Sequence, residues 1–172
     1  MSDSYTQFSE MIEELTEKEE KWLEEILHFD PETDNTDELL ERLPQLPYSF
    51  DFDNYPGFEY ELKRKDKNLW LYSEETYCEE NLCNVIYAFI KKFRPESIFT
   101  LSGGCTCSQL RLKEFGGVWL VISADGVKGG NTWDAAEEQV AKIWDLRKRI
   151  AARSEPSIRR MPRKTKSQSK KG

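Results

Sequence analysis

The pattern of apolar and polar positions changes period several times along the chain. Phe58, Tyr60 and Leu62 alternate with charged residues, which is typical of a half-buried strand, and residues 69–72 follow as a second strand after a polar turn. Residues 97–101 and 118–123 are two further short apolar runs, and they also predict strands. We expect the first two strands to form an antiparallel hairpin.

Other segments have the helical period. Apolar residues recur every three or four positions between an acidic start and a basic end, at Leu82, Val85, Ile86, Phe89, Ile90 and Phe93. Pro95 ends this predicted helix. A capping box of Thr16 and Glu19 predicts a helix over 16–28. The same period upstream, at Phe8, Met11, Ile12 and Leu15, predicts a preceding helix from about residue 5.

The last predicted helix follows Gly129 and Gly130. Asn131 or Thr132 can cap it, and its apolar positions are Trp133, Val140, Ile143 and Trp144. The predicted fold is therefore α+β, with a β-β-α-β-β-α core at 55–152 whose helices pack on an antiparallel sheet of about four strands. An acidic N-terminal helix and linker occupy 1–54, and a disordered basic C-terminal tail occupies 153–172.

Charge is strongly segregated within a net charge of -7. Residues 1–53 contain 17 acidic and 3 basic residues, whereas residues 146–172 contain 11 basic residues and one acidic residue. No apolar run approaches the roughly 20 residues of a membrane span, and the acidic start is unlike a signal peptide. The 4 cysteines are expected to remain thiols, so we predict a cytoplasmic protein without membrane contact.

Residues 102–117 are the predicted binding site, together with the exposed side of the adjoining hairpin. Two glycine pairs there predict unusual backbone or close packing, and polar side chains lie between them. The predicted binding residues are Gly103, Gly104, Cys107, Ser108, Arg111, Glu114, Phe115, Gly116 and Gly117. Arg111 and Glu114 either form an ion pair that shapes the loop, or Arg111 faces an acidic or phosphate ligand beside a backbone nest at Gly103 and Gly104.

Four short motifs resemble a family of small proteins from bacterial, plasmid and phage-type genomes that are usually labelled hypothetical. The motifs are residues 69–75, residues 89–95, Thr106-Cys107-Ser108 with Arg111, and residues 114–117. The resemblance covers residues 16–145, and it implies a protein carried by a mobile element without naming an activity. Gln109 and Leu110 replace the family's usual Lys-Pro pair, and Val118 replaces its third glycine.

The cysteines are either buried or incidental thiols, or they have one of two chemical roles. Cys78, Cys83, Cys105 and Cys107 could supply four thiolates to zinc, but their spacings fit a zinc knuckle poorly. Cys107 could be a nucleophile, but the only histidine is the distant His28. We therefore predict no metal and no cofactor. An acidic stretch at 30–41 matches part of a calcium loop but lacks its glycine.

The basic tail predicts contact with nucleic-acid phosphates through Arg159, Arg160, Arg163, Lys164 and Lys166. The alternative is that the tail folds back onto the acidic N-terminal segment, whose carboxylates could also imitate a phosphate backbone. The sequence as a whole predicts a small interaction or regulatory module that binds a protein or a nucleic acid. The alternative is a small enzyme with a site centred on Cys107, and the oligomeric state stays open.

Overall fold

The computed structural model describes residues 4–107 and 115–154. Its six strands form one antiparallel sheet in the order β2-β3-β1-β4-β5-β6. The strands are β1 (Ser4–Ile12), β2 (Glu59–Lys63), β3 (Asn68–Ser73), β4 (Ile98–Cys107), β5 (Gly116–Ser123) and β6 (Gly126–Asn131). The α-helices are α1 (Glu17–Leu27), α2 (Thr36–Arg42), α3 (Glu79–Phe93) and α4 (Thr132–Ser154), and one 3-10 turn covers Phe52–Asn54.

The α+β class and the antiparallel sheet are confirmed, but the sheet has six strands instead of about four. The predicted helix from residue 5 is wrong, because this segment is β1 and lies between β3 and β4. The sequence analysis also missed β6, whose three glycines resemble a loop. The hairpin of β2 and β3, the capping box of α1 and the helix that ends before Pro95 are confirmed.

The hydrophobic core lies between α3 and one face of the sheet, which we call the inner face. Its residues alternate along each strand, as in Leu69 and Leu71 of β3 and Leu120 and Ile122 of β5, all of them at most 2% exposed. α3 contributes a nearly continuous buried surface, and it contacts β5 and β6 of the sheet as well as α1. The other face of the sheet is the outer face.

Two buried asparagines of α3 hold the segment that the sequence predicted as a linker. Asn84 accepts a hydrogen bond from the Tyr48 amide (3.2 Å) and donates one to the Tyr48 carbonyl (3.1 Å). Asn81 does the same with Asp51, at 2.8 Å in both directions. Both side chains are completely buried, so these bonds satisfy amide groups that would otherwise lose their hydration. The acidic stretch is therefore docked on α3, and it contains α2.

The chain separates into two compact units, Met1–Ala135 and Ala136–Gly172. α4 begins in the first unit, where Asn131 accepts a hydrogen bond from the Asp134 amide (2.8 Å), and residues 136–154 of this helix are the described part of the second unit. Of the predicted disordered tail, residues 153 and 154 are the end of α4, and the rest lies outside the described residues. None of the helices in the described part of the chain is both long enough and apolar enough to cross a membrane.

Candidate functional site

In the described part of the predicted loop at 102–117, residues 102–107 and 116–117 are strand. Gly103 and Gly104 lie inside β4, Cys107 ends it, and Gly116 and Gly117 begin β5. The glycine pairs face each other across the hairpin, with Gly104 opposite Gly117. Phe115 precedes β5 and is 44% exposed. Ser108, Arg111 and Glu114 lie outside the described residues, so their predicted ion pair or ligand contact stays a prediction.

Close packing explains Gly103 and Gly116 of this hairpin better than a turn does. A Cβ atom on Gly103 would lie 2.9 Å from Val118 Cγ2 and 3.0 Å from the Gln7 carbonyl oxygen. A Cβ atom on Gly116 would lie 2.4 Å from the Trp133 ring. The anion nest predicted at Gly103 and Gly104 is wrong, because this backbone lies in a sheet, paired with β1 on one side and β5 on the other.

The four cysteines are free, and they form two pairs, with Cys78 and Cys83 at α3 and Cys105 and Cys107 in β4. Cys83 is completely buried on α3, and burial raises the pKa of its thiol to about 12. Cys78 stands at the N-cap of α3, and Cys105 lies in β4 with its Sγ 4.0 Å from Thr6 Oγ1. Among residues 4–107 and 115–154, no group of three or more cysteine, histidine or acidic side chains is arranged to hold a metal ion.

Cys107 and His28 lie in separate parts of the fold, Cys107 at the end of β4 and His28 at the end of α1. His28 packs against Tyr60 of β2 with ring centroids 5.8 Å apart. Cys107 ends β4, and both β3 and β1 lie between β2 and β4. With strands about 4.8 Å apart, β2 and β4 are roughly 14 Å apart across the sheet. The structure therefore does not place the histidine as a base for Cys107.

The outer face carries aromatic and apolar side chains on several neighbouring strands. Trp70 and Tyr72 of β3 stack with ring centroids 4.2 Å apart, and Lys63 Nζ lies 4.8 Å from the centroid of the Trp70 ring. The Trp70 indole donates a hydrogen bond to Ser9 Oγ (2.9 Å). Because Ser9 is opposite Tyr72 in the ladder, β1 and β3 share this aromatic surface. Among the described residues, the buried hydrophobic cluster includes no side chain from this face.

The exposed parts of this surface continue toward the other edge of the sheet. Met11 is 39% exposed opposite Trp70, and Trp119 of β5 is 42% exposed. Trp119 packs against Gly130 of β6, where a Cβ atom would be 3.0 Å from its ring. The predicted binding residue Gly104 also opens onto this face, with space beside it. The outer face therefore combines fixed aromatic rings with accessible apolar atoms.

Within residues 4–107 and 115–154, the formal charges on the strands of the outer face balance. Glu59 and Glu61 of β2 lie near one edge, together with Lys63, and Lys128 of β6 lies at the other edge. The centre of the face, from β3 to β5, carries Trp70, Tyr72, Tyr5, Gln7, Ser9, Met11, Thr100, Ser102, Thr106, Trp119 and Val121. None of these central residues is charged, so the surface has an uncharged centre and charged margins.

A second concave region, which the sequence did not indicate, lies beside the start of α3. It is a cleft of about 560 Å³ whose lining includes Asp51, Glu59, Cys78 and Glu80. The hydroxyl group of Tyr77 is buried in this region without a hydrogen-bond partner in the described part of the chain, and burial raises the pKa of Tyr77 far above its usual value. A cis peptide bond at Tyr55-Pro56 and a positive φ of 74° at Gly57 shape the neighbouring loop.

The sequence analysis identified one border of the outer face, the exposed side of the hairpin, but not its extent. The alternation in residues 69–72 shows that Trp70 and Tyr72 point away from the buried leucines. The contribution of β1 could not be recognised because this segment was predicted as a helix. Comparison with protein-family models, curated proteins and solved structures found no match for this chain.

Proposed function

We propose that this protein is an interaction module that binds a partner protein through the outer face of its sheet. The observation that carries the proposal is the group of aromatic and apolar side chains at the uncharged centre of that face, above all Trp119, Met11 and the stacked pair of Trp70 and Tyr72. Tryptophan, tyrosine and methionine are enriched at the centres of protein interfaces, where they bury large areas with few rotatable bonds.

The charge distribution favours a protein over a nucleic acid as the partner. Nucleic-acid binding depends on several lysine or arginine contacts with phosphates. Among the residues that the structure describes, the outer face has only the cations Lys63 and Lys128, and Glu59 and Glu61 offset them. The expected partner presents an apolar or aromatic patch with a polar rim. The resemblance to mobile-element proteins and the cytoplasmic location remain proposals that agree with such a role.

In the same proposal, the basic tail makes a second contact with the partner protein, but the tail alone does not determine which partner binds. Arg159, Arg160, Arg163, Lys164 and Lys166 lie outside the described residues, and they would add electrostatic attraction to an acidic partner protein. A nucleic acid bound only through the tail is the outcome that would compete with this proposal.

The test compares two single variants that remove apolar side chains of similar exposure. Trp119→Ser changes the outer face, and Leu40→Ser changes α2, where Leu40 is 41% exposed. Each immobilised variant is incubated with an extract of the native host, and retained proteins are quantified against the wild type. We expect a retained protein whose binding falls by about tenfold or more with Trp119→Ser and stays unchanged with Leu40→Ser, which corresponds to about 1.4 kcal/mol or more.

A gel shift with random single-stranded DNA and RNA completes the test, at about 50 mM and about 200 mM salt. Nucleic-acid binding that is lost at the higher salt and is unaffected by Trp119→Ser, together with equal protein retention by both variants, would contradict the proposal. Near-ultraviolet circular dichroism of both variants checks that the sheet remains folded.

A further inference from the structure

The helix α4 exposes apolar side chains along one side. Val140 is 52% exposed, Ile143 is 51% exposed, Trp144 is 54% exposed and Leu146 is 58% exposed. A helix has about 3.6 residues per turn, so these side chains and Ala136 form one continuous stripe along the helix. Helical structure in proteins depends mainly on burial of such a stripe, and the stripe therefore indicates a packing surface.

The spacing of the stripe is that of a coiled coil. Two series of residues repeat every seven positions and alternate along the stripe, namely Trp133, Val140 and Arg147, and Ala136, Ile143 and Ile150. Arg147 is the only charged residue of these series, and its guanidinium carbon lies 5.2 Å from the centroid of the Trp144 ring. Its aliphatic part can therefore cover apolar surface while the charge stays in water.

The two halves of α4 carry opposite charges. Residues 132–145 contain Asp134, Glu137, Glu138 and Asp145 against the single Lys142. Residues 146–154 contain Arg147, Lys148, Arg149 and Arg153 and no acidic residue. Two such helices side by side in parallel would place like charges together, whereas antiparallel helices would place each acidic half beside a basic half.

We propose that α4 binds α4 of a second copy of this chain in antiparallel orientation. A two-fold axis near Trp144 brings this ring against its copy and overlaps the two stripes along most of their length. The same surface then serves both chains, as a two-fold interface requires. The opposed charges supply the argument for a second copy, because α4 is complementary to itself only when reversed. This inference concerns α4 alone and does not rest on the outer face.

Sedimentation equilibrium of the full chain tests the association. We expect a monomer–dimer equilibrium in the wild type. Ile143→Ser should raise the dimer dissociation constant by about tenfold or more, because each dimer loses two buried apolar side chains. Ala141→Ser is the matched control, because Ala141 is an exposed residue on the charged side of the same helix, and we expect no change in the constant. A wild type that stays monomeric up to about 0.1 mM would overturn the proposal.

Carbodiimide cross-linking tests the orientation in the wild-type chain. Glu138 and Lys148 are ten residues apart, so about 15 Å separates them along one helix and a direct amide bond between them cannot form within that helix. An equal mixture of ordinary and ¹⁵N-labelled protein identifies cross-links between copies by mass. We expect mixed-mass cross-links between Glu137 or Glu138 and Lys148. Mixed-mass cross-links that join Glu138 only to Lys142 would indicate parallel helices and overturn the antiparallel arrangement.

Discussion

The carboxylate of Glu19 is bound from two directions. One oxygen accepts a hydrogen bond from the Thr16 amide (2.7 Å), which completes the capping box of α1. The Arg94 guanidinium contacts both oxygens, at 2.6 Å and 3.1 Å, and also donates to the carbonyls of Glu13 and Glu14. Glu19 is only 4% exposed, so a single ion pair joins the start of α1, the end of β1 and the end of α3.

This ion pair predicts a specific pH dependence. Burial acts to raise the pKa of Glu19, but the hydrogen bonds from Arg94 and Thr16 outweigh it and hold the pKa below its ordinary value. A carboxyl whose pKa is lowered on folding adds stability above its unfolded pKa and loses it as the pH falls through the folded pKa. Arg94→Gln should therefore reduce the free energy of unfolding by about 3 kcal/mol near pH 7, and by less near pH 4.

Arg64→Gln is the matched control for Arg94→Gln. Arg64 also pairs with glutamates of α1, Glu20 and Glu24, but its side chain is 65% exposed. An exposed pair of this kind is worth less than about 1 kcal/mol. Urea unfolding of both variants and the wild type, followed by tryptophan fluorescence at the two pH values, measures the difference. Equal losses for the two variants at neutral pH would show that burial does not strengthen the Glu19 pair.

At the scale of elements, Gly103 and Gly104 are neighbours in β4 that differ in the space available for a side chain. Gly103 faces the core, where a Cβ atom would lie 3.0 Å from the Gln7 carbonyl oxygen of β1, whereas no atom lies within 4 Å of a Cβ on Gly104. Gly103→Ala should lower the free energy of unfolding by about 1–3 kcal/mol, because β1 and β4 must separate to admit the methyl group.

Gly104→Ala is the internal control for this strand. It restricts the unfolded chain without a clash, so we expect no loss of stability and a gain of up to about 1 kcal/mol. Thermal unfolding of the two variants measures the difference under identical conditions. If both substitutions are equally harmful, the packing between β1 and β4 at Gly103 is not the cause of the loss.

The elements that could be predicted from the sequence are those in which the apolar residues recur with one clear period. α3 has a regular apolar stripe, and β2 and β3 alternate, so their type and position followed directly. In β1, the buried residues Phe8 and Ile12 are four positions apart, a spacing that fits one face of a helix as well as one face of a strand. Because Glu10 lies between them on the same face of the strand, the sequence does not show the alternation of apolar and polar residues that is typical of a strand. In β6, Gly129 and Gly130 pack so closely against β5 that this position requires glycines. In the sequence, however, a pair of glycines is typical of a turn.

In the candidate site, too, some features follow from neighbouring residues in the sequence, and others depend on contacts between residues far apart in the chain. Trp70 and Tyr72 could be placed on an exposed face because their neighbours Leu69 and Leu71 are apolar. Their contact with Ser9 and Met11 depends on the pairing of β1 with β3, which brings together residues about sixty positions apart in the chain. No local pattern encodes that pairing, so the breadth of the outer face emerges only in the folded sheet.

At the scale of the whole molecule, the N-terminal segment completes the sheet. β1 is paired along both edges, with β3 on one side and β4 on the other, so its removal would divide the sheet into two parts. Residues 48–54 also satisfy the buried amides of Asn81 and Asn84. The predicted boundary between 1–54 and 55–152 can therefore be tested by asking whether the second part folds without the first.

We expect a fragment of residues 55–152 to lack a cooperative fold, because β3 and β4 lose a shared partner and α3 loses the cover provided by α1. A fragment of residues 1–154 is the control, and it should unfold cooperatively in urea with dispersed amide signals in its NMR spectrum. Adding a peptide of residues 1–54 to the shorter fragment should restore part of that dispersion if the segment acts by completing the sheet. A dispersed spectrum and a cooperative transition for residues 55–152 alone would instead establish that part as an independent domain, with the acidic segment as an accessory to it.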